Sequence, residues 1–276
     1  HPLVSGNKLR KLKYNIFEAQ KSHYKGLITF GGAFSNHILA VAACGHELGF
    51  ETIGFIRGDE LKDNWQTNPT LHQASSMGMK FEFLNREQYR KKTDEDFVCT
   101  LKNTYPSHYL IPEGGTNELA IKGCEEILTL EDSQYDIICC SVGTGGTIAG
   151  IINSASPIQK VFGFASLKGS FLTNDIRKFV TTSNWEMNTD FHFGGYGKIT
   201  KELIAFCNRI FKSTAVPLDP IYTGKAFFGL NEMVNNGILT NDLKILFIHT
   251  GGLQGIKGIN QKLAQAGEPV LEYYEN

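Results

Sequence analysis

A chain of 276 residues is long enough for two α/β domains, and 41% hydrophobic against 20% charged residues is the balance of a folded protein rather than a disordered tail. Lys and Arg total 27 against 28 Asp and Glu, a formal net charge of −1 with no long block of either sign, which argues against nucleic acid as a partner. No uninterrupted apolar stretch reaches the roughly 20 residues that cross a bilayer, so no membrane partner is expected.

Extended and helical patterns alternate along the whole chain, the signature of parallel sheet covered by helices. Strands are predicted near Leu27–Phe30, Thr52–Arg57, Lys80–Leu84, Tyr109–Ile111, Ile137–Val142, Val161–Ala165 and Ile245–His249. Helices are predicted over 8–22, 35–48, 67–77, 86–104, 117–130, 147–155, 170–181, 199–213, 223–236 and 253–265. The six cysteines form no CxxC pair and no zinc-like spacing with histidine, so most of them read as buried thiols, no metal is expected, and a reducing cytoplasm is the expected compartment. The opening HPLVSGNK carries no charged-then-apolar leader.

In open α/β sheets function gathers beyond the carboxyl ends of strands, where loops enter helix N-termini. Four such loops hold unusual residues: Gly31–His37, Pro112–Asn117, Ser141–Thr147 and His249–Gly252. In Ser141-Val142-Gly143-Thr144-Gly145-Gly146-Thr147, three glycines after an apolar strand allow backbone N–H groups to converge on an anion at a helix N-terminus. The spacing is neither GxGxxG nor a P-loop, so a cofactor phosphate fits it better than a dinucleotide; a tight turn without ligand is the bland alternative. In Gly31-Gly32-Ala33-Phe34-Ser35-Asn36-His37, Ser35 or Asn36 serves as a helix N-cap, and two short polar side chains also face the sheet's carboxyl edge. Beside a phosphate cup, Lys8 at a turn-to-helix junction is a candidate for carbonyl chemistry, because a desolvated amine forms imines.

Taken together, GNKLRKLKY, GGAFSNH, IPEGGTN, CSVGTGGT, GGYG, LDPIYTGK and HTGG occur in the order found in the 1-aminocyclopropane-1-carboxylate deaminase and D-cysteine desulfhydrase family, which the chain resembles from Leu3 to about Gly258. The resemblance implies a pyridoxal 5'-phosphate enzyme of fold type II, tryptophan synthase β-like: two open, mainly parallel, three-layer α/β domains. It implies a large cofactor domain of residues 1–10 and 116–276, a small inserted domain of residues 11–115, and a strand upstream of GNK that this sequence does not contain. A homodimer and a small amino-acid substrate are implied as well. Carried over by position, Lys8 is the Schiff-base lysine, Asn36 bonds the cofactor's phenolic oxygen, and Ser35 lies near the substrate. Gly143, Thr144, Gly145, Gly146 and Thr147 cradle the phosphate, while Tyr196 and Tyr222 line the substrate pocket.

Two positions separate the family's activities. The cyclopropane deaminases resemble one another in placing Glu after the tyrosine of YxGK and Leu before the late GG pair, where this chain has Thr223 and Thr250. That pattern is similar to the D-cysteine desulfhydrases, and either threonine could meet the pyridine nitrogen. Expelling hydrosulfide needs a weaker electron sink than opening a cyclopropane, so neutral threonines suffice. Leu39 departs from the family, which often has a polar or basic residue there. The expected reaction converts D-cysteine to pyruvate, hydrogen sulfide and ammonia. Cyclopropane-carboxylate deamination, elimination from D-serine or β-chloro-D-alanine, and cofactor binding without turnover are the alternatives.

Overall fold

Each apolar run between turn-forming residues becomes a parallel strand in the computed structural model, which describes residues 3–169 and 171–273. The chain divides into two units, His1–Ala120 and Ile121–Asn276. The first runs α1 (Asn7–Lys21), β1 (Gly26–Gly32), α2 (Asn36–Leu48), β2 (Glu51–Arg57), α3 (Pro69–Ser76), β3 (Lys80–Leu84), α4 (Arg86–Arg90), α5 (Glu95–Thr104) and β4 (His108–Ile111). Its sheet has the order β3-β2-β1-β4, all pairs parallel, with Gly26 of β1 opposite both Glu51 and His108. β1 is therefore central, and its residues Leu27 to Phe30 are buried throughout, as a strand covered on both faces must be.

Helix α2 is apolar around its whole circumference, with every residue from His37 to Ala43 buried. Leu39 is part of that core, which gives the departure at this position a packing role. The stretch 86–104 is two helices instead of the single one expected. Asp94 takes extended backbone (φ −71°, ψ 131°) and its carboxylate accepts from Phe97 N at 3.2 Å, so the chain restarts a capped helix there.

After α6 (Glu118–Glu125) the second unit runs β5 (Ile137–Val142), α7 (Gly146–Ser154), β6 (Lys160–Ala165), α8 (Phe171–Arg177), β7 (Trp185–Asn188), α9 (Lys201–Thr214), α10 (Thr223–Asn235), β8 (Ile245–Ile248) and α11 (Ile256–Gln265). The sheet order is β7-β6-β5-β8, again parallel, with Ile137 of β5 opposite Lys160 and Ile245. β7 was not expected: it is a four-residue edge strand between turn-forming residues, too short to show a period. Among the described residues no helix is long and apolar enough to cross a membrane.

Candidate active site

The two sheets share one topological feature. In the first, β1 leads outward through β2 to β3, while β4 pairs on the other side of β1; in the second, β5 leads outward through β6 to β7, while β8 pairs on the other side of β5. Strand order reverses at β1/β4 and at β5/β8, and the loops leaving those strands are the four singled out by their composition. At such a reversal adjacent loops diverge to opposite faces and open a crevice at the carboxyl edge.

In the first unit, side chains bridge the reversal. Thr29 Oγ1 donates to Ile111 O at 2.9 Å and lies 2.7 Å from His37 Nε2. The hydroxyl has one proton, so the imidazole donates from Nε2. Burial, reinforced by the charges of Lys8 and Lys11, pulls His37 well below the ordinary histidine value and keeps it neutral. Ser35 is the N-cap of α2, its Oγ accepting from His37 N at 3.2 Å and Ile38 N at 3.4 Å, which leaves its O–H to donate elsewhere. Asn36 is the first helical residue and is half-buried. Lys8 is half-buried in the first turn of α1, behind Gly6 at positive φ (58°). One turn on, Lys11 is fully buried, and its Nζ donates to Gly114 O at 2.5 Å and Thr116 Oγ1 at 2.9 Å, tying α1 to the Pro112–Asn117 loop.

In the second unit, α7 starts at Gly146 behind Gly145 (φ 85°), a residue with no side chain to cap the first-turn N–H groups. A Cβ on Gly143 would stand 3.0 Å from Tyr222 Cε1, so that ring lies directly against the glycine loop. Tyr196 follows at a ring-centroid distance of 6.1 Å from Tyr222. Ser141 Oγ and Thr250 Oγ1 are buried and 2.9 Å apart across the β5/β8 reversal. Thr223 is placed differently: its Oγ1 donates to Asp219 Oδ2 at 2.8 Å and accepts from Asp219 N at 2.9 Å. Loop glycines, Tyr222, Tyr196 and Thr250 thus gather at one edge of this unit, while the Thr223 hydroxyl is turned into the protein.

The family model for pyridoxal-phosphate dependent enzymes matches residues 1–251. The chain belongs to that family. Among relatives of this pyridoxal-phosphate dependent enzyme, a Pyrococcus horikoshii protein provisionally named 1-aminocyclopropane-1-carboxylate deaminase is 31% identical, covering 94% of this chain and 84% of its own. The mitochondrial bifunctional D-cysteine desulfhydrase/1-aminocyclopropane-1-carboxylate deaminase of Arabidopsis thaliana is also 31% identical, over 92% of this chain and 70% of its own. A solved structure of an ACC deaminase homologue superposes with a TM-score of 0.78 at 29% identity, covering 95% of this chain and 84% of that one. The two parallel α/β sheets are accordingly those of fold type II.

The glycine loop fits a phosphate group. Gly145 holds a left-handed backbone, its missing Cβ would meet Ile176 Cγ1 at 2.9 Å, and the nine-residue α7 begins behind this glycine with no side-chain cap from it. Buried thiols add no competing nucleophile: burial raises Cys139 and Cys207 to about 12, and all six cysteines are free.

Sequence reasoning missed three buried charged residues of this enzyme that hydrogen-bond the backbone around these loops. Lys11 is one. Asp219 is buried; its Oδ1 accepts from Ile221 N and Tyr222 N, its Oδ2 from Thr223 N and Thr223 Oγ1. Lys225, also buried, donates from Nζ to His192 O at 2.9 Å and Gly195 O at 2.8 Å. The Asp-Pro pair just before the α10 pattern was a legible cue for Asp219, since Asp in that position initiates a turn and caps the helix behind it.

Proposed function

We propose that this enzyme eliminates the β-substituent of a small D-amino acid, D-cysteine first among them, giving pyruvate, hydrogen sulfide and ammonia with consumption of one water. The observation that carries the choice is the neutral Ser141–Thr250 hydroxyl pair at the β5/β8 reversal, with Thr223 locked to Asp219. When bound, pyridoxal phosphate supplies the electron sink that makes the hydrogen on the amino acid's α-carbon removable. A hydroxyl facing the pyridine nitrogen leaves that sink weaker than a carboxylate would, which favours substrates that expel their own leaving group. In this reading Thr250 takes that part, supported by the engagement of the Thr223 hydroxyl with Asp219.

In this reading Lys8 carries the cofactor, and its amine, once released by the incoming substrate, takes the α-proton. Ser35 donates to the substrate carboxylate from the N-terminus of α2, where the helix dipole also favours an anion. Asn36 holds the phenolic oxygen. In the second unit Gly143, Thr144, Gly145, Gly146 and Thr147 hold the phosphate, and Tyr222 and Tyr196 orient the substrate's side chain. The division into a cofactor domain (1–10 and 116–276) and an inserted domain (11–115), assembly as a homodimer and a cytoplasmic location belong to the same proposal.

The test is a panel of D- and L-amino acids together with 1-aminocyclopropane-1-carboxylate, scored for hydrogen sulfide, 2-oxo acid and ammonia. D-cysteine should give hydrogen sulfide and pyruvate, with little 2-oxobutyrate from the cyclopropane. Efficient cyclopropane turnover with D-cysteine inert would overturn the substrate assignment.

A further inference from the structure

Lys225 is a charged side chain only 1% exposed in the middle of the second unit, and the elimination chemistry assigns it nothing to do. Its two acceptors flank a turn of unusual backbone: Phe193, Gly194, Gly195 and Gly197 have φ of 53°, 91°, 110° and 70°. Inside that turn Gly195 N donates to His192 O and Lys198 N to Gly195 O, so the carbonyls held by the lysine are the two that close it. A non-glycine residue at positive φ, such as Phe193, stays there only when its surroundings insist on it. The turn delivers Tyr196 directly, and the helix carrying Lys225 begins one turn earlier, behind Tyr222.

We infer that Lys225 is a positioning residue, whose ammonium clamps the 192–195 turn onto the N-terminus of α10 and so sets Tyr196 against Tyr222. An apolar residue of similar volume would fill the space but leave the two carbonyls with only their backbone donors, Gly195 N and Lys198 N, and remove the charged hydrogen bonds that tie this turn to α10. Burial pulls the Lys225 ammonium down to about 8, with Asp219 on the same helix terminus opposing that shift and favouring the charged donor. Asp219 fixes Tyr222 through its backbone N–H and Lys225 fixes Tyr196 through its turn, so one buried acid and one buried base set the two rings.

The inference rests on the placement of Tyr196 in the site, and the experiment separates the two. Hydrogen exchange of the cofactor-free protein over residues 193–198 should speed up in Lys225→Met and stay near wild type in Lys225→Arg, which can still reach two carbonyls. Lys225→Met should lower kcat/KM about tenfold or more, as small misplacements of a pocket residue do. In a Tyr196→Ala background the same substitution should change kcat/KM by no more than about twofold, because the group it positions is already gone. Should Lys225→Met not fold, Lys225→Gln, which keeps one donor, takes its place in both measurements. Unchanged exchange over 193–198, or an equal loss with and without Tyr196, overturns the role of Lys225. Full activity of Tyr196→Ala alone would instead remove Tyr196 from the pocket, while the exchange result still decides whether Lys225 holds the turn.

Discussion

Replacing Asp219 by Asn changes one oxygen to an NH2 group at a buried carboxylate that accepts four hydrogen bonds. In one orientation the new amide confronts Thr223 N, a donor facing a donor, while Thr223 Oγ1 can turn to accept. In the flipped orientation both Ile221 N and Tyr222 N lose their acceptor, which is worse. Hydrogen bonds to a charged group contribute about 1.5–3 kcal/mol each, and a buried amide left without a partner costs about 1–3 kcal/mol, so a net loss of about 2–4 kcal/mol is expected. Lys225 loses its nearby countercharge as well. The measurement is thermal unfolding of the cofactor-free protein followed by hydrogen exchange, so that the two units are read separately. At a few degrees per kcal/mol, the transition of Ile121–Asn276 should fall by roughly 5–15 °C while that of His1–Ala120 holds. A loss below about 1 kcal/mol would show that the carboxylate's charge does not organise the start of α10.

Borohydride reduction of the cofactor-loaded protein followed by peptide mapping should find the pyridoxyl group on Lys8; label on Lys11, whose amine is taken up by Gly114 and Thr116, or on Lys13 would move the site. Gly145→Val should weaken cofactor affinity, measured by titration, because a Cβ there crowds Ile176. It should also destabilise the cofactor-free chain by about 1–3 kcal/mol, since a branched residue at φ 85° is strained; unaltered affinity in the folded variant would remove the phosphate assignment. His37, depressed well below its ordinary value, binds fewer protons folded than unfolded once the pH drops below about 6.5, so stability should fall as pH drops through that window, by at most about 1.4 kcal/mol per unit. Urea unfolding at several pH values should show a shallower slope in His37→Gln, which keeps a donor for Thr29; an identical slope would show that His37 titrates normally in the native state.

Much of the local structure was legible because it is dictated locally. Leu27–Phe30 and Ile137–Val142 are largely apolar without alternation and bounded by turn residues, which leaves little besides a covered strand. The glycine loop after β5 and Ser35 before α2 announced a helix N-terminus by residue type alone, and the ordered motifs named the cofactor family. The reading failed where no period or propensity distinguishes the outcome. Trp185–Asn188 pairs only because β6 offers it an edge, and 86–104 breaks because the Asp94 carboxylate captures a backbone amide.

The sequence by itself determined most of the elements, the four loops of unusual composition at the strand ends and the cofactor family. The tertiary structure decided how those loops combine: that β4 returns beside β1 and β8 beside β5, placing four scattered segments at two strand-order reversals. It also gave two threonines equivalent on paper different partners, turning the Thr223 hydroxyl onto Asp219 and the Thr250 hydroxyl onto Ser141, 109 residues away. Only the folded chain shows Lys11 and Lys225 buried, the first against Gly114 O and Thr116 Oγ1 and the second against His192 O and Gly195 O. The physical reason is common to all of these: a side chain's hydrogen-bond partner is fixed by which distant backbone passes within about 3 Å, and that is set by strand order and packing rather than by neighbours in the chain.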